Sequence, residues 1–579
     1  MSKRVNHIWK LAPLPDNQEV LTNMNDLGIN RAMATLLAQR GIVGFDAAKS
    51  YFRIQENHLH DPFLMKDMEL ASERLVKAIK EGEQILVYGD YDVDGTSAVA
   101  LVYSFLKTHT AKVDYYIPDR YLEGYGLSEK GVNWASAHGF SLLITLDCGI
   151  KANEKIDLAN RLGIDVIVCD HHTPGEVLPK AYAVLDPKRN DCAYPYKELS
   201  GCGVGYKLMC ALAEKLNCSD TRLLNYTDLL AISIAADIVP ITEENRVLCT
   251  LGLQQLNTRP REGIKALLAG RKKQQALTVS DLVFFIAPRI NAAGRIRSGK
   301  YAVALMVEEQ ALEARQFASE IEANNLDRKN LDQEITNEAL ALIEEEQKQG
   351  ERFSNVVFQE HWHKGVIGIV ASRIIEQHYK PTIVFTRSGE KLAGSARSVK
   401  GFNVYEAIDA CSDYMLQFGG HKYAAGLTLT EKQYPLFKAA FEQEVSKRIK
   451  PEQLTPAITI AGEISFADIT PKFFRILKQM EPFGPENMTP VFLSTQVQVN
   501  DFRIVGADHL KMSLSQGHEF VFDAIAFNRA ADAQVLKQGL IDVVYTLDEN
   551  EWNGKKTIQL MVRDFCVAGS KQAHIEKKV

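Results

Sequence analysis

Several things are scarce in this sequence. No apolar run approaches the roughly 18 residues of a membrane span, and no membrane association is expected. The opening MSKRVNHIWKLAPLPDN lacks a long apolar core, so it does not read as a secretory signal. Cysteine is sparse: nine in 579 residues, an odd count with no CxxC pair. A disulfide scaffold is not expected at this size, and a reducing, cytoplasmic setting is. There is no internal repeat and no low-complexity stretch, which excludes a mainly disordered or collagenous chain. Excess charge of one sign is missing too, with 67 Lys+Arg against 73 Asp+Glu and a net charge of −6. That balance neither marks a nucleic-acid binder nor excludes one, because binding follows local patches and bound metal.

What remains is ordinary globular composition, 46% hydrophobic and 24% charged. At roughly 150 residues per domain it fits three to four domains. Residues 1–80 read as short helical pieces such as NRAMATLLAQRGI and ELASERLVKAIKEG. From residue 83, short β-rich runs (EQILVYG, KVDYYIP, FSLLITLDCG, IDVIVCD, AYAVLDP) alternate with amphipathic helices, the pattern of βαβ units and a mainly parallel sheet. A helix-rich stretch, 204–290, follows. Between Gly299 and Gly350 there is neither Gly nor Pro. That stretch fits one solvated helix of about 30 residues, near 45 Å long, or two shorter ones. Strands and helices resume until PEQLTP at 451–456. Residues 457–568 then alternate as about five strands with one short helix, PKFFRILKQM, which fits a small barrel such as an OB-fold.

The chemistry concentrates where apolar strands end. EQILVYG runs into Asp90-Tyr91-Asp92-Val93-Asp94-Gly95, with a helix pattern opening at Thr96. Three carboxylates in five residues repel one another unless a cation is present, and hard divalent cations such as Mg²⁺ or Mn²⁺ take oxygen ligands. A solvated Asp-rich turn with a helix N-cap is the bland alternative. SLLITLDCGI repeats the placement at Asp147, and IDVIVCDHHTP repeats it at Asp170-His171-His172. In open α/β sheets ligands bind at the carboxyl ends of strands, so three strands deliver acids and imidazoles to one rim. In LLAISIAADIVPI, Asp237 is the only charge in thirteen residues. A buried carboxylate is costly unless paired or bound to metal; a helix-end cap or salt bridge is the alternative.

GDYDVDG, LDCG, CDHHTP and AADIVP, in this order, resemble the signature motifs of the DHH phosphoesterase superfamily. IPDRYLEGYGLS, LSGCGVGYKL, APRINAAGRI, HWHKGVIGIVASRI, GSARS and FGGHKYAAG resemble further motifs of its RecJ group of exonucleases, and GGHKYAAG that of the accessory DHHA1 domain. The resemblance runs from about residue 60 to 568. It implies an α/β fold: a DHH-type parallel-sheet domain and a DHHA1 α/β domain joined by a long helix, plus a C-terminal OB-fold β-barrel. The expected boundaries are 1–75 for the N-terminal helical segment, 76–298 for the catalytic domain, 299–350 for the connecting helix, 351–452 for DHHA1, 453–568 for the barrel and 569–579 for a frayed tail.

The implied activity is 5′→3′ degradation of single-stranded DNA to 5′-mononucleotides in recombination and repair. A DHH-family oligonucleotide or cyclic-dinucleotide phosphodiesterase is the alternative. Asp92, Asp94, Asp147, His171 and Asp237 match the family's ligands for two divalent cations, Mn²⁺ or Mg²⁺, with Asp147 bridging them. Asp90 matches the first acidic position, as a ligand or a base beside the ligands. His172 matches the partner of the scissile phosphate or leaving group. The stretch before the first acids, Val87-Tyr88-Gly89, has no His, as in the RecJ group.

Ser395 and Arg397, with Arg120, match a pocket for the 5′-terminal phosphate, and a guanidinium suits bidentate phosphate binding. Arg289 and Arg295 are candidates for phosphates near the metals. Gly420 and His421 belong to a Gly/Ala-rich segment through which a backbone can approach a phosphate. Each Arg read alone is equally a salt-bridge partner, and each Gly a packing device. His361 and His363 lack further ligands at zinc spacing and are read as part of a loop. In the barrel, Phe502, Arg503, Lys511, Phe520, Phe522, Trp552, Lys555 and Lys556 supply stacking and basic groups, some of which must fill the core. The expected partners are single-stranded DNA, a single-strand-binding protein and a RecQ-like helicase, and the chain is expected to act as a monomer.

Overall fold

The computed structural model describes residues 7–218, 220–271, 275–296, 298–517, 519–552 and 554–570. The expectation for the tail beyond Ser570 lies outside them. The chain divides into two compact units: Ile54–Asn330 with Pro482–Met488, and Met1–Arg53 with Leu331–Glu481 and Thr489–Val579. The helical reading of residues 1–80 misses their first element, the strand β1 (Ile8–Leu11), whose partner lies in the last third of the chain.

The unit that starts at Ile54 is built on a parallel five-stranded sheet: β2 (Ile85–Gly89), β3 (Val113–Tyr116), β4 (Leu142–Leu146), β5 (Asp165–Cys169) and β6 (Ala183–Leu185), ordered β3-β2-β4-β5-β6. These strands are near-continuous apolar runs because both faces are covered. Ile85, Val87, Ile144 and Ile167 enter one core, with helices Met68–Glu81, Val93–Lys107 and Gly201–Lys215. Leu86, Tyr88, Leu143 and Val168 enter the other, with Glu129–Ala137 and Asn153–Arg161. The chain goes from β2 to β3 on one side and then returns to β4 on the other. The carboxyl ends of β2 and β4 therefore flank the crevice where strand order reverses.

The stretch free of Gly and Pro forms two helices, Lys300–Val307 and the 37-residue Ala311–Gln347. The break needs neither residue, because the Glu308 carboxylate accepts hydrogen bonds from the amides of Glu309 and Gln310. The long helix spans about 55 Å at 1.5 Å per residue. It is not solvated all round. Ala318 and Ile321 belong to the core of the first unit, and Ile335, Ala339 and Ile343 to that of the second.

The second unit holds a mixed sheet of β7 (Asn355–Gln359), β8 (Thr382–Ser388), β9 (Lys391–Arg397), β10 (Gln417–His421) and β11 (Ala424–Leu429), ordered β10-β11-β9-β8-β7. Helix Ile367–Gln377 packs on one face with Val357 and Val384, and Tyr434–Arg448 on the other with Ile383 and Phe385.

The same unit also holds β12 (Ala457–Ile460) and β13 (Gly462–Glu463), and then a closed barrel. Its strands are β14 (Phe492–Val505), β15 (His509–Gln516), β16 (Phe520–Ala526), β17 (Ile541–Trp552) and β18 (Lys555–Val567). They neighbour one another as β14-β15-β16-β18-β17, and β17 returns to β14 to close the ring. The β16–β18 pair is parallel, so this is the expected five-stranded OB-type barrel. β1 pairs with β12 in parallel, and Trp9 is fully buried with its Nε1 donating to Asp564 at 2.9 Å. Among the described residues no helix is long and apolar enough to cross a membrane, and all nine cysteines are free thiols.

Candidate metal centre and anion floor

The strand-end residues converge as the sequence predicts. Asp90 follows β2 and is buried; its Oδ1 accepts from Gly126 N at 3.0 Å. Asp92 caps helix Val93–Lys107, with Oδ1 on Gly95 N at 3.0 Å. Asp94, in the first turn, accepts from the amides of Gly201 (2.7 Å) and Cys202 (2.8 Å) and from Ser233 Oγ (2.7 Å). Two glycines make this closeness possible. A Cβ on Gly95 would lie 2.5 Å from Asp90 O, and one on Gly201 would lie 2.6 Å from the Asp147 Cβ.

Asp147 follows β4 with φ +58, a left-handed conformation that Asp tolerates better than most residues. His171 follows β5. Its Nε2 is 3.2 Å from Asp147 Oδ1, 3.6 Å from Asp237 Oδ2 and 3.8 Å from Asp94 Oδ2. Asp237 ends helix Thr227–Asp237. Two triads thus have their ligand atoms within 4.8 Å of one another, Asp94–His171–Asp237 and Asp147–His171–His172. They share His171, and Asp92 lies within hydrogen-bonding reach of Asp147.

The electrostatics of this cluster call for a cation. Burial, then the charges of Asp92, Asp94 and Asp237, holds the Asp147 carboxyl well above the usual range. Burial and Asp92 do the same for Asp90, and burial and Asp94 raise the Asp92 carboxyl. Asp237 is pushed up to about 8 by burial, Asp94 and Asp92. Burial lowers the His171 imidazole against the pull of Asp94, which keeps it a neutral ligand. Asp90 Oδ2, Asp147 Oδ2 and both ring nitrogens of His171 are buried with no hydrogen-bond partner. Oxygen-rich, unsaturated and carrying one or two imidazoles, this donor set fits Mg²⁺ or Mn²⁺.

Asp170, unassigned by the sequence reading, is the residue that orients this set. Its Oδ1 accepts from His172 Nδ1 at 2.8 Å and from the amides of His171 (2.8 Å) and His172 (3.1 Å), and its Oδ2 from Ile150 N at 2.9 Å. Burial opposes its charge, but the His172 bond holds the carboxyl below its usual range. Reciprocally, burial disfavours the His172 imidazolium while Asp170 raises its pKa.

Tyr125 was also missed. Its hydroxyl lies 3.2 Å from His172 Nε2 and donates to Asp147 O at 3.2 Å. The Tyr125 ring stands edge-on to Tyr91 (6.1 Å) and to His172 (6.0 Å), and Arg120 lies over Tyr91 at 4.8 Å. The motif IPDRYLEGYGLS carried the only signal for this row.

Of the arginines, Arg120 and Arg295 both act on the half-buried Tyr91 phenol, which desolvation pushes up to about 12. A Cβ on Gly294 would meet Tyr91 O at 2.9 Å, so the Arg295 segment lies against the acid loop. Arg289 stands elsewhere. It is buried, stacked 3.6 Å from the Phe285 ring centroid, and bound to both carboxylate oxygens of Glu322 at 2.6 and 3.1 Å. This is the salt-bridge use of an arginine.

In the second unit, Ser395 and Arg397 lie within β9, and Gly420 and His421 within β10. Register aligns His421 with Ala424 and Ala424 with Arg397, while Gly419 aligns with Gly426 and Gly426 with Ser395. Directly paired residues share a face. Arg397, Ser395 and His421 therefore surround a floor of Ala424, Gly426 and Gly419. A Cβ on Gly419 or Gly426 would meet nothing within 4 Å, so the floor is open. Arg397 Nη1 donates to Ser395 Oγ at 3.1 Å. Gly368, in the first turn of helix Ile367–Gln377, packs so closely that a Cβ there would lie 2.9 Å from Arg397 Nη2. An arginine, a hydroxyl and a helix N-terminus over an open floor suit an anion. Gly420 points away and has a packing reason: φ is +151, and a Cβ would lie 2.4 Å from Ala424 O.

His361 Nε2 and Trp362 Nε1 both bond Glu338 (2.9 and 2.8 Å), which pins their loop to the long helix. On the barrel, Arg503 pairs across strands with Lys511. Phe520 is partly exposed, and the Phe522 ring meets the buried Phe466 at 5.3 Å. The side chain of Trp552 lies outside the described residues.

The chain matches three families: the DHH family N-terminal domain over residues 84–234, the DHHA1 domain over 351–447 and the RecJ OB domain over 460–564. It is similar to the single-stranded-DNA-specific exonuclease RecJ of Bacillus subtilis, 37% identical over 562 residues, which are 96% of this chain and 70% of that protein. It is similar also to the Escherichia coli protein of the same name, 36% identical over 520 residues, 86% of this chain and 90% of that one. Among solved structures it is similar to RecJ of Thermus thermophilus in complex with Mn²⁺, with TM-score 0.83 and 28% identity, covering 96% of this chain and 79% of that chain.

Proposed function

The chain belongs to the RecJ family of exonucleases, and from that premise we propose that it degrades single-stranded DNA 5′→3′ to 5′-mononucleotides, with Mn²⁺ or Mg²⁺ as cofactor, in recombination and repair. The observation that carries this reading is the convergence of Asp92, Asp94, Asp147, His171 and Asp237, with buried ligand atoms left unbonded at Asp147 and His171. These residues would hold two divalent cations, which would supply an activated water and stabilise charge on the phosphate. Asp147, which joins the Asp92 side of the cluster to His171, would serve as a ligand on both sides of the cluster, and Asp90 would support it. Asp170 fixes the His172 ring through Nδ1, and His172 holds the scissile phosphate or the leaving oxygen.

Polarity comes from end recognition. A terminal phosphomonoester carries more charge than an internal diester, and Ser395, Arg397 and His421 on their open floor suit it. Arg295 serves phosphates nearer the acids. The bidentate Glu322 partner makes Arg289 a support for that segment rather than a phosphate contact. The barrel, with Arg503 and Lys511 side by side, binds the strand without regard to sequence. The enzyme works in the cytoplasm as a monomer, and a single-strand-binding protein and a RecQ-like helicase supply its substrate. The test is digestion of 5′- and 3′-labelled oligonucleotides, single-stranded and blunt duplex, with Mn²⁺. Release of labelled mononucleotide from the 5′ end of single strands alone is expected; release from the 3′ end, or from blunt duplex equally, refutes the reading.

A further inference from the structure

Within the apolar run LLAISIAADIVPI one hydrophobic side chain is in water. Ile238 is 66% exposed, whereas Ile234, Val239 and Ile241 are buried. Its backbone is left-handed, φ +61 and ψ +29, at the residue that ends helix Thr227–Asp237. Helices often end this way, with Gly or Asn at that position. A β-branched residue there is strained, and this one gains little compensating burial. Helix termination alone therefore accounts for the conformation but not for the isoleucine. Strain held next to reacting groups points to a use for the side chain.

Its position supplies the use. Ile238 adjoins Asp237, whose carboxylate is 3.6 Å from His171 Nε2. An exposed ring also reaches this cluster: Tyr125 is 53% exposed and bonds His172, whose ring centroid is 4.6 Å from that of His171. Tyr125 thus presents a ring bonded to the cluster, and Ile238 exposes apolar surface at the residue next to Asp237, in a site that is otherwise carboxylate and imidazole. A nucleotide whose phosphate lies at that site carries one flat apolar surface, its base. Every base has such a face, so the contact is indifferent to sequence.

We propose that Ile238, together with the ring of Tyr125, grips the base of the 5′-terminal nucleotide while its 3′-phosphate lies at the acid cluster. This deepens the exonuclease reading and rests on it. The grip sets how firmly the terminal nucleotide is held, not the chemistry.

The test uses the full chain with Mn²⁺ and single strands with a normal or an abasic 5′-terminal nucleotide. With the wild type, the abasic end raises KM about five- to tenfold, the scale of losing one partly buried aliphatic contact. Ile238→Gly raises KM by a similar factor on the normal strand, leaves KM on the abasic strand unchanged, keeps kcat within about twofold and raises the melting temperature, because glycine relieves the strain. Ile238→Leu keeps the grip and stays close to wild type. The proposal is overturned if Ile238→Gly leaves KM unchanged, shifts both substrates alike, or melts lower than wild type, since the last would make Ile238 a packing residue. A wild type that leaves single strands intact refutes the exonuclease reading itself, whatever the variants do.

Discussion

Asp147 touches both His171 and the Asp92 side of the acid cluster, so its removal is expected to cost more than that of an outer residue. Asp147→Ala is expected to lower hydrolysis by more than the roughly 10- to 100-fold that loss of an outer partner costs, while single-strand binding survives in part. Asp170→Asn tests that outer partner: a drop of about 10- to 100-fold in kcat is expected, with the fold intact by circular dichroism. The raised carboxyl pKa values give a pH signature. An acid raised by burial contributes stability at low pH, where it is neutral in both states, and loses it as pH climbs through the folded value, about 8 for Asp237. The EDTA-treated protein should therefore melt lower as pH rises from the ordinary carboxylate range toward 8. Mn²⁺ should restore it most at the alkaline end, with protons released on binding, readable by calorimetry in two buffers. A melting temperature that rises with pH in EDTA would remove these acids from the argument. The acids and imidazoles that converge were legible in the sequence, because a carboxylate at the end of a fully apolar strand has few bland explanations. The groups that hold them were not. Gly201 N and Cys202 N on Asp94 are backbone donors without a residue signature, and Tyr125 is one tyrosine among twenty.

The elements divide in the same way. The parallel strands stood out because burial on both faces makes them continuous apolar runs, and the long helix because nothing in it breaks a helix. The strand Ile8–Leu11 did not: it is four residues long, and its partner Ala457–Ile460 is remote in the chain. Motifs alone could not place Ser395, Arg397 and His421 on one sheet face either, since that depends on register. The register makes a paired prediction. Gly420→Ala drives a Cβ into Ala424 O at positive φ and should destabilise by about 1–3 kcal/mol or more. Gly419→Ala meets open space and should stay within about 0.5 kcal/mol, yet obstruct the floor and weaken the preference for a 5′-phosphate. Arg397→Ala should reduce that preference roughly 10- to 150-fold, the equivalent of a charged hydrogen bond of about 1.5–3 kcal/mol. The measurement compares 5′-phosphorylated with 5′-hydroxyl strands; an unchanged ratio in a folded variant reduces the floor to packing.

At the scale of the whole molecule, the strand Ile8–Leu11 and the last third of the chain form one structure. Removing residues 457–579 should weaken binding to long single strands more than it slows cleavage of very short ones, and equal losses would make the segment structural. The deletion should also take β1 with it, because Trp9 and Leu11 would otherwise lose their cover. A truncation that keeps Ile8–Leu11 is expected to aggregate sooner by light scattering than one that lacks it. The pairing has a consequence during synthesis as well. Trp9 Nε1 bonds a carboxylate 555 positions further on, so at about 5–20 residues per second the strand waits roughly half a minute to two minutes on the ribosome for its partner. Throughout that interval an unpaired strand edge and an indole are open to the cell, while the catalytic sheet behind them has already been made. The nascent chain therefore passes through a stage at which its acid cluster can assemble before the barrel exists.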